Sequence, residues 1–428
     1  MTDVNEGKLI FNGLTRTLIL LYPEELSELG DINKYDYLYK LYFFVPLDFD
    51  EEEVVNKLRI PLLKPIDDLY LNHPKQYTIL TTTKCNARCF YCYEMPSKNK
   101  RHMSEDTIKK VVKYIINSAP KGFTINLHWF GGEPLYNQKA IDYITSELMT
   151  ANIPFTSTFT TNGYLFDKAT ILKAKTAWNT TEAQITIDGT EKVYNLVKSY
   201  KNSENVNPFK KVMNNIAMLL NQGITVTIRM NVDQHNAEDL KKFVIETHSR
   251  FGNPPHLGMY AWPIFEDEHF HRTHEEHVTI FNKLKELELL MENYGYRQGH
   301  RPVNEIKAAQ CMADDGYSVL ISPNGELGTC EHFIDSHFWG HIDDPSKKDF
   351  SQLNIWREYN KPLDICKDCP IYPSCVRPTA CMEMGKCDEQ YKEWRIRKEL
   401  TGMIHFFEDS RNQRQRPMMQ QRFSENIM

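Results

Sequence analysis

From residue 77 to residue 262 the apolar positions fall into two alternating rhythms. Six short runs, YTILTT (77–82), TINLHWF (124–130), FTSTFTT (155–161), AQITID (183–188), TVTIRMNV (225–232) and LGMYAW (257–262), have the length and the β-branched and aromatic content of strands. The intervals, near 104–118, 137–150, 167–177, 208–222 and 236–250, carry helical patterns. Glu105 and Asp106 fall where a helix N-terminus favours negative charge. Strands that each lead into a helix predict a parallel sheet curled into a full or partial barrel. In such folds chemistry gathers at the C-terminal ends of the strands.

Two regions of different character flank this pattern. Residues 1–74 hold short apolar runs at Lys8–Phe11, Leu18–Tyr22 and Leu41–Val45, then an acidic helix start at Asp48–Glu53, which predicts a small α+β unit. From about residue 300 the alternation stops, and 363–387 is dense in Cys, Pro and Asp, with too little apolar periodicity for an ordinary core. Metal ligation is the economical way to hold such a segment. The polar, Gln- and Arg-rich tail after Ser410 is expected to be disordered at its end. The chain therefore divides into 1–74, 75–300 and 301–428.

Composition narrows the class. The 428 residues are 41% hydrophobic and 25% charged, as in an ordinary globular protein, and the net charge of −6 gives no reason to expect nucleic acid as a partner. No run approaches the roughly 20 apolar residues a membrane span needs, and Leu18–Tyr22 is too short for a signal sequence. The reading is cytoplasmic. Ten cysteines in a reducing compartment then point to metal or catalysis before disulfides.

Three of them, Cys85, Cys89 and Cys92, crowd the loop after the first strand. Thiolates three and two residues apart can converge on one cubic iron–sulfur cluster and leave one iron open to a cofactor. A zinc knot or three unrelated thiols are the alternatives. Directly after the second strand stands GGEP, Gly131–Pro134, where two glycines let a backbone edge approach a ligand and Glu133 adds a charge. Together these resemble the radical S-adenosylmethionine (radical SAM) enzymes, whose loop reads CxxxCxΦC with an aromatic Φ, here Tyr91. TTNG (160–163), ITIDG (185–189) and RMNVD (229–233) are similar to that family's strand ends.

The resemblance implies an α/β fold, a partial (β/α)6 TIM barrel of radical SAM type. It assigns Cys85, Cys89 and Cys92 to a [4Fe–4S] cluster whose open iron is chelated by SAM. It places the Tyr91 backbone against the adenine, and Gly131, Gly132 and Glu133 on the ammonium. Asn162 and Thr186 occupy positions that contact ribose or carboxylate. Lys198 stands where the family commonly has an arginine, and an ammonium cannot make the bidentate clamp a guanidinium makes. The implied chemistry is reductive SAM cleavage to a 5′-deoxyadenosyl radical that abstracts hydrogen from substrate.

The seven late cysteines resemble the SPASM extension: Cys311, Gly325 and Cys330, then Cys366-x2-Cys369-x5-Cys375-x5-Cys381, then Cys387. Five residues rather than three precede Cys381, and zinc remains an alternative ligand for a C-x2-C pair. By that resemblance Cys366, Cys369, Cys375 and Cys387 hold one auxiliary cluster, and Cys311, Cys330 and Cys381 hold another. Three [4Fe–4S] clusters are thus expected. Glu331, after a cluster cysteine, stands where sulfatase-maturing relatives place an acidic base; a surface carboxylate is the plainer reading. His269, His271, His274 and His277 could chelate a metal but read more simply as a solvated helix start.

SPASM enzymes act mostly on peptides, so the expected activity is maturation of a ribosomally made peptide, with a thioether or other crosslink among its products. A precursor peptide and a flavodoxin or ferredoxin are the implied partners. Residues 1–74 read either as a leader-binding unit of winged-helix type or as a cap on the barrel. The alternatives are a sulfatase maturase forming formylglycine and, from another class, an electron-transfer iron–sulfur protein.

Overall fold

The structure is a computed structural model that describes residues 2–4, 7–15, 17–28, 34–55, 57, 72–94, 100–201, 206–266, 272–298, 311–356, 364–366, 369–372, 375 and 387–412. Cys381, His269, His271 and the tail from residue 413 lie outside these.

All six strands the pattern predicts are present: β4 (Gln76–Thr82), β5 (Ile125–Gly131), β6 (Phe155–Thr161), β7 (Thr180–Thr186), β8 (Thr225–Val232) and β9 (Leu257–Pro263). They pair in parallel and in sequence order. Between them run α3 (Glu105–Ser118), α4 (Gln138–Thr150), α5 (Lys168–Thr176), α6 (Glu191–Lys198), α7 (Pro208–Asn221) and α8 (Ala237–Phe251). Side-chain caps start several of them: Ser104, Asp167 and Asn207 accept from Thr107, Thr170 and Lys210 N–H, meeting donors that have no partner inside the helix.

β4 is buried on both faces beyond Gln76, and the strands from β5 to β9 each separate two environments. Ile125, Leu127 and Trp129 on β5, Ala183 and Ile185 on β7, and Val226, Ile228 and Met230 on β8 are fully buried under the helices. The alternate residues, such as His128, Thr158, Gln184, Arg229 and Tyr260, are polar and half-buried. They line the inner face, where the Tyr260 hydroxyl reaches over β8 to donate to Gln184 (2.7 Å). The sheet therefore carries an apolar outer core and a polar interior.

The sheet does not stop at the six strands. β10 (Ser318–Ile321) adds parallel to β4, and β11 (Glu326–Gly328) and β12 (Gly340–His341) extend it antiparallel, giving nine strands in the order β12-β11-β10-β4-β5-β6-β7-β8-β9. Gly325 makes the β10–β11 turn with φ +96°, and a Cβ there would stand 2.6 Å from Ile342 Cδ1. At the β9 end lie α9 (His274–Asn293) and the C-terminal helix α10 (Glu389–Asn412). Trp394 of α10 packs on Trp262 (4.9 Å between ring centroids) and donates to buried Glu288 of α9 (3.0 Å), which Arg397 and Lys398 also reach (2.5 and 3.0 Å).

The N-terminal region forms its own antiparallel sheet, β1 (Thr2–Val4), β2 (Gly7–Phe11) and β3 (Leu18–Leu21), followed by α1 (Pro23–Ser27) and α2 (Asp36–Lys40). Strands followed by helices match the expected α+β unit.

α9 begins at His274 with a capping box between Thr273 and Glu276, so a helix start is correct there. The first turn is solvated, with Thr273, His274 and Glu275 exposed, but His277 behind it is not. His277 is 13% exposed, with Nε2 2.8 Å from Glu266 Oε1 and Nδ1 3.0 Å from Asp388 Oδ2, because α10 brings Asp388 against α9.

Candidate active site

The cysteine loop leaves β4 at the C-terminal edge of the barrel, and the ends of the next strands hold it from beneath. Gly131 closes β5 at φ +113°; a Cβ on it would stand 2.2 Å from Thr82 O, and one on Gly132 would stand 2.6 Å from Lys84 O. The two glycines let the end of β5 press on the loop's first residues, where Gly132 N–H donates to Thr82 O (3.0 Å) and Glu133 N–H to Lys84 O (3.0 Å). Among protein atoms, this close approach is what requires them.

Glu133 is fully buried. Its carboxylate accepts from Thr161 Oγ1 (2.8 and 2.9 Å), Asn162 N–H (2.9 Å) and Leu135 N–H (3.2 Å). Burial outweighs these donors and pushes its pKa up to about 7. Asn162 turns its amide to Asn86 Oδ1 (2.7 Å), with Cys85 Sγ 3.8 Å away. The TTNG strand end thus reaches both Glu133 and the cysteine loop.

Lys198 and Tyr91 meet through a residue that sequence reasoning did not single out. Asp188, within ITIDG, is fully buried and pairs with Lys198 Nζ (2.8 Å); Tyr91 donates to the same carboxylate oxygen (2.7 Å), and Lys198 Nζ lies 2.9 Å from the tyrosine oxygen. Burial opposes the lysine's charge, but Asp188 beside it holds its pKa well above the ordinary value. The end of α6 also clamps the loop backbone: Arg88 N–H donates to Lys198 O (2.7 Å) and Lys201 N–H to Asn86 O (2.8 Å). Thr186, on the inner face, pairs in register with Arg229.

Burial, first among the causes, lifts the Cys85 thiol to about 12 and the Cys92 thiol to about 11, and raises Cys89 as well. Cys85 Sγ accepts from Ala87 N–H (3.3 Å), and the side-chain nitrogen of Asn86 beside it is buried with no hydrogen-bond partner. Among the described residues no three His, Cys, Asp or Glu side chains stand at metal-ligand spacing. A three-thiol donor set on a half-buried loop, with an orphaned amide next to it, suits a sulfur-ligated cluster with a polar ligand, and binding would have to drive the thiols' deprotonation.

The late cysteines begin against this loop. β11 leads into Cys330, Glu331 and His332, and the His332 ring stacks on Tyr93, the residue after Cys92 (4.6 Å, 14°), with Phe265 at its edge (4.5 Å). Glu331 Oε2 is buried without a hydrogen-bond partner. Glu331 is half-buried, and its charge is felt at His128 on the inner face of β5. Cys366, Cys369 and Cys375 wind through successive tight turns, Cys369 N–H donating to Cys366 O (3.1 Å) and Cys375 N–H to Ile371 O (2.8 Å). Cys311 is exposed, and Cys387 packs against the main core just before α10.

An open α/β barrel with a three-cysteine loop over its C-terminal edge defines a class of enzymes that bind a cluster and a cofactor at that edge. Residues 79–245 match the Radical SAM superfamily, so the chain contains a radical SAM domain, a type that carries a [4Fe–4S] cluster and uses SAM. An uncharacterised protein of Methanocaldococcus jannaschii is 23% identical over 283 residues, covering 64% of this chain and 90% of its own. The cysteine-type anaerobic sulfatase-maturating enzyme of Clostridium novyi is 22% identical over 330 residues, covering 69% of this chain and 84% of its own. Among solved structures, anSMEcpe with bound AdoMet superposes with TM-score 0.58 at 14% identity, over 79% of this chain and 99% of that one. SuiB of Streptococcus suis bound to S-adenosylmethionine gives 0.53 at 13%, over 90% and 95%. The fold is that of radical SAM enzymes with C-terminal SPASM domains. No helix of the described residues is long and apolar enough to cross a membrane.

Proposed function

We propose that this chain is a cytoplasmic radical SAM maturase that abstracts hydrogen from a ribosomally made peptide and closes a thioether or other crosslink in it. In this reading Cys85, Cys89 and Cys92 hold the SAM-binding cluster, Cys366, Cys369, Cys375 and Cys387 a second, and Cys311, Cys330 and Cys381 a third. When bound and reduced by a flavodoxin or ferredoxin, the first cluster and SAM supply a 5′-deoxyadenosyl radical. Tyr91, Gly131, Gly132, Glu133, Asn162, Thr186 and Lys198 shape the SAM site, the glycines by letting β5 seat the loop and Lys198 by fixing Asp188 and Tyr91. Glu331 takes a proton from the substrate, and the electron released as the crosslink closes would pass to an auxiliary cluster.

The observation that carries the proposal is the seating of Cys330, Glu331 and His332 on Tyr93: it brings a late cysteine and a buried, unpartnered carboxylate oxygen to the mouth of the barrel beside the first cysteine loop. The 1–74 unit supports a peptide substrate, because β3, apolar throughout as LILL, is an edge strand among the described residues, to which a leader could add. Anaerobic reconstitution tests the proposal. Wild type should hold about twelve irons, and the Cys85, Cys89, Cys92→Ala variant about eight with no SAM cleavage. Four irons or fewer in wild type, or zinc in their place, overturns it.

The Clostridium novyi relative, matched over 69% of this chain, favours a second reading, formylglycine formation on a sulfatase. Mass spectrometry of a cysteine-bearing sulfatase peptide after turnover, beside any short precursor encoded next to this gene, separates the two: loss of sulfur with a new aldehyde marks the sulfatase-maturing activity.

A further inference from the structure

The joint between the cysteine loop and α6 turns large apolar side chains to solvent. Phe90, between Cys89 and Tyr91, is 68% exposed, and Leu196 on α6 is 79% exposed. One such residue alone is ordinary; here each is the outward neighbour of a residue built inward. Tyr91 sends its hydroxyl to Asp188 (2.7 Å), with its ring centroid 5.3 Å from that of Phe90. On α6, Tyr194 and Lys198 are buried, whereas Lys192 and Leu196, also four residues apart, share the exposed face. The two elements are pinned together, since Arg88 N–H donates to Lys198 O (2.7 Å) and Lys201 N–H to Asn86 O (2.8 Å). The charges at this joint are positive. Lys192 and Lys201 are exposed, and Arg88 is fixed to the loop by Nη1, which donates to Cys85 O (2.9 Å) and Ala87 O (2.5 Å). The carboxylate of α6, Glu191, already meets Lys210 (3.7 Å) and the amide of Asn207 (2.6 Å). On a chain whose net charge is −6, this patch runs against the overall field.

We infer that this face docks a small acidic electron-carrier protein, which there reduces the cluster held by Cys85, Cys89 and Cys92. The inference rests on the radical SAM maturase reading and deepens it by giving the redox partner a place on the chain. An apolar centre within a charged rim is the composition of a protein interface. Rim cations steer an acidic partner and raise its rate of arrival more than its residence, which suits a carrier that must leave after each electron. Phe90 directly follows Cys89, so a partner seated on its ring meets the first cysteine loop itself rather than reaching it through the late cysteines. One electron leaves the carrier, which is oxidised, and reduces the cluster; no bond forms or breaks between the two proteins.

The test uses the anaerobically reconstituted full chain as wild type, Lys192→Glu and Leu196→Glu, with Lys285→Glu on α9 as a control for the change of charge. SAM cleavage is driven in turn by reduced flavodoxin, reduced ferredoxin and dithionite, and calorimetry reads the binding of each oxidised carrier. Lys192→Glu and Leu196→Glu should each raise the KM for the carrier by about tenfold or more. Dithionite-driven cleavage should stay at the wild-type rate, and Lys285→Glu should behave as wild type throughout. Added salt should bring wild type toward the variants, because exposed charges are screened. Carrier KM and binding that match wild type in both variants overturn the inference, as does a wild type that dithionite activates and neither carrier does. Iron content and circular dichroism establish that each variant is folded; should Lys192→Glu fail there, Lys192→Gln carries the same comparison with a smaller loss in the same direction. Wild type that cleaves no SAM even with dithionite overturns the maturase reading, and the calorimetry then decides the docking surface by itself.

Discussion

Replacing Lys198 with Met asks whether this lysine is a cofactor clamp or part of the protein's own framework. Nζ lies 2.8 Å from Asp188 Oδ2, and the two side chains are 3% and 1% exposed. Removing one partner of such a pair costs about 3–5 kcal/mol, because the other charge stays buried and uncompensated. Here Asp188 keeps the Tyr91 hydroxyl (2.7 Å) and a long contact from Asn231 N–H (3.4 Å), so the lower end, about 3 kcal/mol, is expected. Adding Asp188→Asn removes the stranded charge and should recover about half of that loss, a coupling that a double-mutant cycle reads directly.

The assay is urea unfolding under anaerobic conditions, followed by tryptophan emission. Trp129, Trp178 and Trp262 sit on or beside the barrel strands and report its loss. Lys198→Met should shift the midpoint well below wild type, and the double variant should lie between them. SAM affinity should fall only as far as the loop loosens, since Arg88 and Asn86 hold to the end of α6 through backbone bonds that the substitution leaves in place. A variant with unchanged stability and SAM binding weakened tenfold or more would refute the reasoning and return Lys198 to the role of a clamp.

Three further outcomes are expected. Gly131→Ala puts a Cβ 2.2 Å from Thr82 O at a residue whose φ is +113°, so iron should drop from about twelve atoms to about eight while the late cysteines keep theirs; full loading refutes it. Glu331→Gln should lower modified peptide per 5′-deoxyadenosine formed by about a hundredfold or more, and an unchanged ratio would remove Glu331 from the chemistry. A chain beginning at Asn72 should still cleave SAM without substrate but lose most modification of a leader-bearing precursor, whereas full turnover would reduce 1–74 to a cap.

What the sequence disclosed and what it hid follow one physical rule. The six barrel strands were legible because one face of each lies fully buried under helices, so composition and period speak for themselves. The strand read at 183–188 runs instead over Thr180–Thr186, since Asp188 leaves the sheet to meet Lys198 and Tyr91. That pairing joins three segments distant in sequence and has no local signature. β10, β11 and β12 have four, three and two residues, too few for any period to show, and β10 is fixed by its register on β4 and β11. α10 hides its apolar stripe, Tyr391, Trp394 and Met403, on a strongly charged background. His277 read as solvent-facing because the carboxylate it meets, Asp388, stands directly before that same unrecognised helix. Motif residues were legible as a set for the opposite reason: CNARCFYC, GGEP and TTNG each occupy a strand end, and the strand ends of a parallel barrel converge whatever their separation along the chain. Arg229 and His128 belong to the same convergence but sit inside strands rather than at their ends, where a single polar residue looks like one more inward position. Knowing which face was interior was what gave them meaning.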